Sequence, residues 1–69
     1  MEKETEFTMF IKGRPTLIKI ERHWSIHGIK VTCHAGNLSV TSEIHANEDE
    51  ALWQARMELR NLLLANVAA

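Results

Sequence analysis

The chain of 69 residues contains a single cysteine, Cys33, so an internal disulfide is impossible. A domain this small buries only about 60% of the surface that its unfolded chain exposes, and many such domains depend on disulfides or metal ions. We therefore expect one domain over residues 1–69, stabilised by a tightly packed core or by self-association.

A lone cysteine also favours a reducing compartment. The first ten residues contain three glutamates and one lysine, whereas a secretory signal begins with positive charge. These features predict a cytoplasmic protein. No uncharged apolar run approaches the roughly 20 residues that cross a bilayer, so no membrane association is expected.

A strong charge of either sign is also lacking. The formal net charge is −1, whereas domains that hold nucleic acid mainly through phosphate contacts carry a clear positive excess. The overall charge therefore disfavours nucleic acid as a partner, and only a local basic patch would support it.

Signatures of catalysis are absent from the sequence. The three glycines stand apart at positions 13, 28 and 36, so there is no glycine-rich phosphate loop. No pair of carboxylates falls in an evident apolar pocket, as general acid–base chemistry requires. Cys33 and His34 are adjacent on a predicted strand and point to opposite faces, which makes Cys33 an inert core thiol. We predict that the protein is not an enzyme and uses no cofactor or small-molecule substrate.

Two of the four histidines, His27 and His45, are expected to approach each other near Glu48 or Asp49. Two imidazoles and a carboxylate can bind a transition metal. The spacing matches no metal motif, and solvated surface histidines are much commoner. We therefore predict no metal site.

The sequence does contain a clear change in the periodicity of its apolar residues near Asn47. Before it, apolar residues alternate with polar ones, and after it they recur at helical spacing. Asn47 suits a helix N-cap, and Glu50 stands three positions on, as in a capping box. The pattern predicts an α+β fold: an antiparallel meander of three to four strands with one C-terminal helix, from Glu48 to Asn66, packed on one face.

The clearest predicted hairpin turns at Gly36-Asn37, where glycine accepts positive φ. It pairs Ala35 with Leu38 and, further along, Ile29 with Ile44. An earlier hairpin joins residues 6–12 to residues 17–22. Its loop is expected at residues 13–16, because a two-residue loop at Gly13-Arg14 would require an amide hydrogen that Pro15 lacks. This loop places Ile11 opposite Ile18 and Met9 opposite Ile20.

The middle of the chain allows two interpretations. Trp24 and Ile26 share one alternation phase, and Ile29 begins the opposite phase. A β-bulge at Gly28 accounts for this change and leaves a short turn at Arg22-His23. The alternative is a tight turn at His27-Gly28. The bulge is the favoured interpretation.

The alternation and the helical spacing together predict the core. Its members are the apolar residues that face the interior in the preferred register: Phe7, Met9, Ile11, Ile18, Ile20, Ile29, Val31, Cys33, Leu38, Val40, Ile44, Leu52, Ala55, Leu59, Leu62 and Leu63.

A second apolar group, Trp53, Met57 and Leu64, lies on a different side of the predicted helix, and Arg60 and Arg56 lie between the two groups. One sheet can hardly cover both sides. Tryptophan, methionine and arginine are enriched at interfaces, so Trp53, Met57, Arg60 and Leu64 are predicted to bind a protein partner, most simply a second copy. The alternative is that the N-terminal segment or the bulged strand folds over this group.

These observations predict a small protein–protein interaction or regulatory module, with a homodimer as the simplest form of the contact. The alternative function is nucleic-acid binding by the outer face of the sheet, where lysines could follow phosphates while a base stacks on an aromatic ring. This arrangement resembles, in outline, the arm-binding domain of phage-type integrases. Glutamates on the same face nearly cancel its charge. The residues of this alternative site are Phe10, Lys12, Lys19 and Lys30.

The C-terminal residues Val67, Ala68 and Ala69 resemble the degradation tags that bacterial unfoldases read. That resemblance implies a bacterial protein of controlled lifetime. A plain helix end is the favoured explanation of these residues.

Overall fold

The computed structural model describes residues 3–67 and confirms the predicted α+β class. Four antiparallel strands form one sheet in the order β1-β2-β3-β4, and a single helix follows. Within residues 3–67, no helix combines the length and apolar content needed to span a bilayer. The elements are β1 (Glu6–Ile11), β2 (Arg14–Ser25), β3 (Gly28–Ala35), β4 (Leu38–Thr41) and α1 (Glu48–Val67).

The core lies between the inner face of the sheet and one side of α1. The alternation of apolar and polar residues along the strands supplies the sheet side, and residues three or four positions apart supply the helix side. Two predicted core residues are wrong, because Ile44 is 45% exposed and Leu62 is 43% exposed. Ala35 and Ala51 were missed. The buried cluster comprises Ile18, Ile20, Ile29, Val31, Cys33, Ala35, Ala51, Ala55 and Leu59, with Phe7, Met9, Leu38, Val40, Leu52 and Leu63 partly buried against it.

The hairpin between β3 and β4 has the predicted register, from Ala35 opposite Leu38 to Thr32 opposite Thr41. The predicted pairing fails only at its far end, where Ile29 pairs with His45 instead of Ile44.

An extra residue after Ser42 causes this shift. The Ser42 hydroxyl accepts a hydrogen bond from the Val31 amide at 3.0 Å, and the Gln54 side chain accepts one from the Glu43 amide at 3.0 Å. Side chains therefore take over part of the backbone pairing, and Ile44 turns outward.

The register predicted for the β1–β2 hairpin is wrong. The turn is Lys12-Gly13, and Ile11 lies opposite Arg14 rather than Ile18. Both turn residues have positive φ, 51° and 80°, as a type I′ turn requires. The inner and outer faces are nevertheless as predicted, because the error is an even number of residues.

Pro15 is compatible with this tighter hairpin. Ile11 and Arg14 flank the two-residue turn and form its hydrogen-bonded pair, so Phe10 and Pro15 form the next, non-hydrogen-bonded pair. On its other side β2 pairs with β3 only from Lys19 onward. The missing amide hydrogen of Pro15 therefore removes no ladder bond.

The favoured bulge at Gly28 and the turn at Arg22-His23 are both wrong. β2 continues to Ser25, and the chain reverses through Ile26 and His27, one residue from the alternative turn. The Ser25 hydroxyl accepts a hydrogen bond from the His27 amide at 3.2 Å. The phase change in the sequence is real, but a turn produces it.

The start of α1 is capped as predicted. The Asn47 side-chain oxygen accepts a hydrogen bond from the Asp49 amide at 2.7 Å. The second half of the predicted capping box is replaced by another contact, since the Glu50 carboxylate lies 3.8 Å from Nδ1 of His45. The helix ends at Val67, one residue beyond the predicted end.

Candidate interaction surface

The helix carries apolar residues on two opposite sides. Ala51, Ala55 and Leu59 face the sheet and are fully buried. The other side carries Trp53, which is 66% exposed, together with half-buried Met57 and Leu64 and exposed Arg60. At 100° per residue, these four lie within about 60° of arc, directly opposite Ala55. We call Trp53, Met57, Arg60 and Leu64 the outer stripe.

The N-terminal segment does not cover the outer stripe within the described residues. The ammonium group of Lys3 binds the Glu48 carboxylate at 2.7 Å and lies 5.4 Å from the Trp24 ring centre. The continuous strand β2 also lies on the sheet side of the helix. Among residues 3–67, neither of the two covering segments that the sequence allowed lies over the outer stripe, so this part of the chain does not support that alternative.

Glu48 is the anchor for this N-terminal contact. Its carboxylate accepts hydrogen bonds from Lys3 at 2.7 Å and from Nε of Arg22 at 2.9 Å. These two hydrogen bonds lower the pKa of the Glu48 carboxyl below its usual value, with Lys3 having the larger effect. The contact fixes the start of α1 over the end of β2.

An open groove of about 530 Å³ adjoins the outer stripe at the start of α1. Gln54 forms part of its wall, and its side-chain oxygen lies 2.6 Å from Nε2 of His45. Three carboxylates around the groove make its surroundings negative. The lining residues are Glu43, His45, Asp49, Glu50, Trp53 and Gln54.

The positive charge at the outer stripe belongs to Arg60. Arg56, predicted beside it, instead places its guanidinium 4.3 Å from the ring centre of Phe7 on β1. This cation–π contact ties Arg56 to the edge of the sheet. The exposed surface of α1 therefore has acidic Asp49 and Glu50 near its start and basic Arg60 further along.

The alternative site on the outer face of the sheet has an apolar centre. Phe10 is 67% exposed and Leu17 is 51% exposed. Phe10 lies directly opposite Pro15, and Leu17, two residues after Pro15, is the diagonal neighbour of Phe10. Lys12, Lys19 and Lys30 are all exposed. Lys12 lies in the turn, and Lys19 lies directly opposite Glu6, so a glutamate offsets one of the three charges.

Cys33, His27 and His45 differ in burial and in their contacts. The Cys33 thiol is fully buried, and burial raises its pKa, with the charges of Arg56 and Arg22 acting in the opposite direction. His27 is exposed in the turn between β2 and β3, whereas His45 is half-buried, with its Nε2 2.6 Å from the Gln54 side-chain oxygen. Among residues 3–67, no three histidine, cysteine, aspartate or glutamate side chains are placed to hold a metal ion.

The helical spacing predicts the outer stripe, but the sequence does not predict the groove. Glu50 is expected only at the helix start, and Asp49 is expected there and as a neighbour of His27 and His45. The approach of Glu43 to the helix depends on the shifted pairing after Ser42. The signal was the polar Gln54 within an apolar stretch. Ala68 and Ala69 of the predicted degradation tag lie outside the described residues.

Comparison with protein-family models, with curated proteins and with solved structures gave no significant match. The resemblance to integrase arm-binding domains therefore rests on outline alone.

Proposed function

We propose that this protein is a protein–protein interaction module that docks its partner on the outer stripe of α1. The observation that carries the proposal is the 66% exposure of Trp53 on the helix side opposite the sheet. Apolar surface that leaves water gains about 25 cal/mol per Å². The folded chain leaves most of Trp53 in contact with water, so a partner that covers this side chain gains this free energy on binding.

The composition of the outer stripe supports docking. Tryptophan and arginine dominate the residues that carry binding energy at interfaces, and methionine adapts to irregular partner surfaces. The core cluster contains none of the four stripe residues. Their side chains are therefore free to serve a partner with little cost to the fold.

The proposal assigns binding rather than catalysis to this chain, in a cytoplasmic setting that suits its lone cysteine. A regulatory role suits a domain of 69 residues that acts by contact with a partner.

Photocrosslinking in cells tests the proposal. A benzophenone amino acid at position 53 keeps an aromatic ring in the outer stripe, and the same group at exposed Glu58 provides a matched control on another side of α1. We expect discrete covalent adducts from position 53 and few from position 58. Equal yields at both positions, or none at either, would contradict docking on the outer stripe.

A second candidate is nucleic-acid binding by the outer face of the sheet, favoured by the 67% exposure of Phe10 beside Lys12. Phosphate contacts weaken steeply with salt, whereas apolar docking does not. Fluorescence anisotropy of a labelled single-stranded oligonucleotide tests this candidate. Binding that falls between 50 and 200 mM salt (on the order of tenfold for a few phosphate contacts) and disappears in Phe10→Ala would support it. Absence of binding at low salt would eliminate it.

A further inference from the structure

We propose that the partner on the outer stripe is a second copy of this chain, with the two α1 helices antiparallel across a two-fold axis. This inference rests on the proposed docking function and names its partner. It follows from the distribution of charge along the exposed side of α1 and from the groove beside Trp53.

The charge distribution selects the direction of the helices. Asp49 and Glu50 lie near the start of the exposed surface, and Arg60 lies two to three turns later. A parallel pair would place Arg60 against its own copy and the carboxylates against theirs. An antiparallel pair places each Arg60 against the acidic end of the other helix, so attraction replaces repulsion.

The apolar residues fit the same arrangement. With the two-fold axis on the outer-stripe side of α1, at the height of Ala55 along the helix, Trp53 of one copy lies opposite Met57 of the other, and this contact occurs twice. Arg60 then lies level with Glu50 of the partner and beside its Asp49. Leu64, one turn further on, reaches the groove that Trp53 walls. The α1 helix of each copy therefore contacts both the outer stripe and the groove of the other copy.

The size of the contact predicts its strength. From Trp53 to Leu64 the outer stripe spans about 16 Å, or three helical turns. Interfaces of long-lived complexes bury at least about 1,200 Å² in total, which is more than three turns of paired helix provide. The dimer should therefore be reversible, with monomer and dimer in exchange, as in the transient complexes that bury less area than this.

A charge-swap mixture tests the antiparallel dimer. In Arg60→Glu, the new carboxylate faces Asp49 and Glu50 of the other copy, so both intermolecular charge contacts become repulsive. The double variant Asp49→Lys/Glu50→Lys reverses the charge of the acidic end, so both contacts are again repulsive. In an equimolar mixture, each contact of a heterodimer joins opposite charges, because the glutamate at position 60 meets the two lysines and Arg60 meets Asp49 and Glu50. We expect each variant alone to sediment as a monomer and the mixture to recover the dimer.

Three controls make the outcomes distinguishable. Circular dichroism and thermal melting establish that both variants fold. The third control, Leu62→Ala, removes an apolar side chain that is 43% exposed but lies outside the outer stripe. It shows whether the loss of any exposed apolar side chain on α1 weakens the dimer. A mixture that stays monomeric while the unaltered chain dimerises would overturn the antiparallel pairing. If the unaltered chain is monomeric and position 53 crosslinks to a different protein, the second copy is overturned and the docking function stands. If position 53 forms no adduct, the docking function itself fails.

Discussion

Single residues fix the ends of the elements, and Glu48 is the clearest example. It links the N-terminal segment, β2 and α1 through hydrogen bonds from Lys3 and Arg22. These contacts lower the pKa of its carboxyl in the folded chain relative to the unfolded chain, whose reference value is 4.5. A lowered pKa means that ionised Glu48 stabilises the fold above that value, and that this stabilisation is lost as the pH falls through the folded pKa.

Glu48→Gln is therefore expected to lower the free energy of unfolding at pH 7 by about 1 kcal/mol, since a charge-assisted contact at a partly exposed site is lost. The difference from the unaltered chain should shrink as the pH falls below 4.5. Urea unfolding between pH 3 and pH 7 measures both effects, with Glu58→Gln as the exposed control. A constant difference across the pH range would contradict the role of the Glu48 charge.

Gly28 is fixed by a close approach of two backbone segments. Its φ is 134°, and a Cβ atom there would lie 2.3 Å from the carbonyl oxygen of His45. Gly28→Ala must push β3 away from the segment that leads to α1. We expect a loss of about 3 kcal/mol in unfolding free energy from clash and strain.

Gly36→Ala is the matched control for this substitution, because Gly36 has φ 62° but no neighbour within 4 Å of an added Cβ. It should cost only about 1 kcal/mol, the penalty for a left-handed alanine. Equal losses at the two positions would show that the approach of His45 has no energetic effect.

At the scale of elements, the sequence contained the types and order of the secondary structure but not every pairing. The predicted β3–β4 hairpin and the capped helix are confirmed, because Gly36 and Asn47 act locally. The predicted β1–β2 loop is wrong, because the proline excludes a two-residue loop at Gly13-Arg14 but not one at Lys12-Gly13, which puts Pro15 at a non-hydrogen-bonded position. Whether an amide hydrogen is needed at Pro15 depends on how far β3 extends along β2. The residues around the proline do not determine that length.

The type I′ turn of the β1–β2 hairpin yields a prediction at this scale. Lys12 adopts φ 51°, which costs most residues energy but suits asparagine. Lys12→Asn should therefore raise the unfolding free energy by up to about 1 kcal/mol. Thermal melting measures the change. A four-residue loop at residues 13–16 would leave Lys12 in a strand, where asparagine destabilises, so a lowered melting temperature would argue against the observed turn.

At the scale of the whole molecule, the candidate site depends on which helix side the sheet leaves uncovered. The helical spacing of Trp53, Met57 and Leu64 indicated this side in advance. The groove could not be foreseen, because it forms where the shifted pairing of His45 brings Glu43 beside Gln54. The spacing of apolar residues within α1 predicts which side of the helix is apolar. The groove depends on contacts between segments far apart in the sequence, which that spacing does not contain.

Because the outer stripe lies outside the core, its removal should separate binding from folding. Trp53→Ala should change the unfolding free energy of the monomer by no more than about 0.5 kcal/mol, as is usual for surface positions. Leu59→Ala, at a fully buried position on the opposite side of α1, should cost about 2–5 kcal/mol.

Sedimentation velocity over a range of concentrations measures the central claim most directly. We expect the mass of the unaltered chain to rise with concentration from 7.9 kDa toward twice that value, and the mass of Trp53→Ala to stay at the lower value while the variant remains folded. A folded Trp53→Ala chain that associates as strongly as the unaltered one would contradict the account.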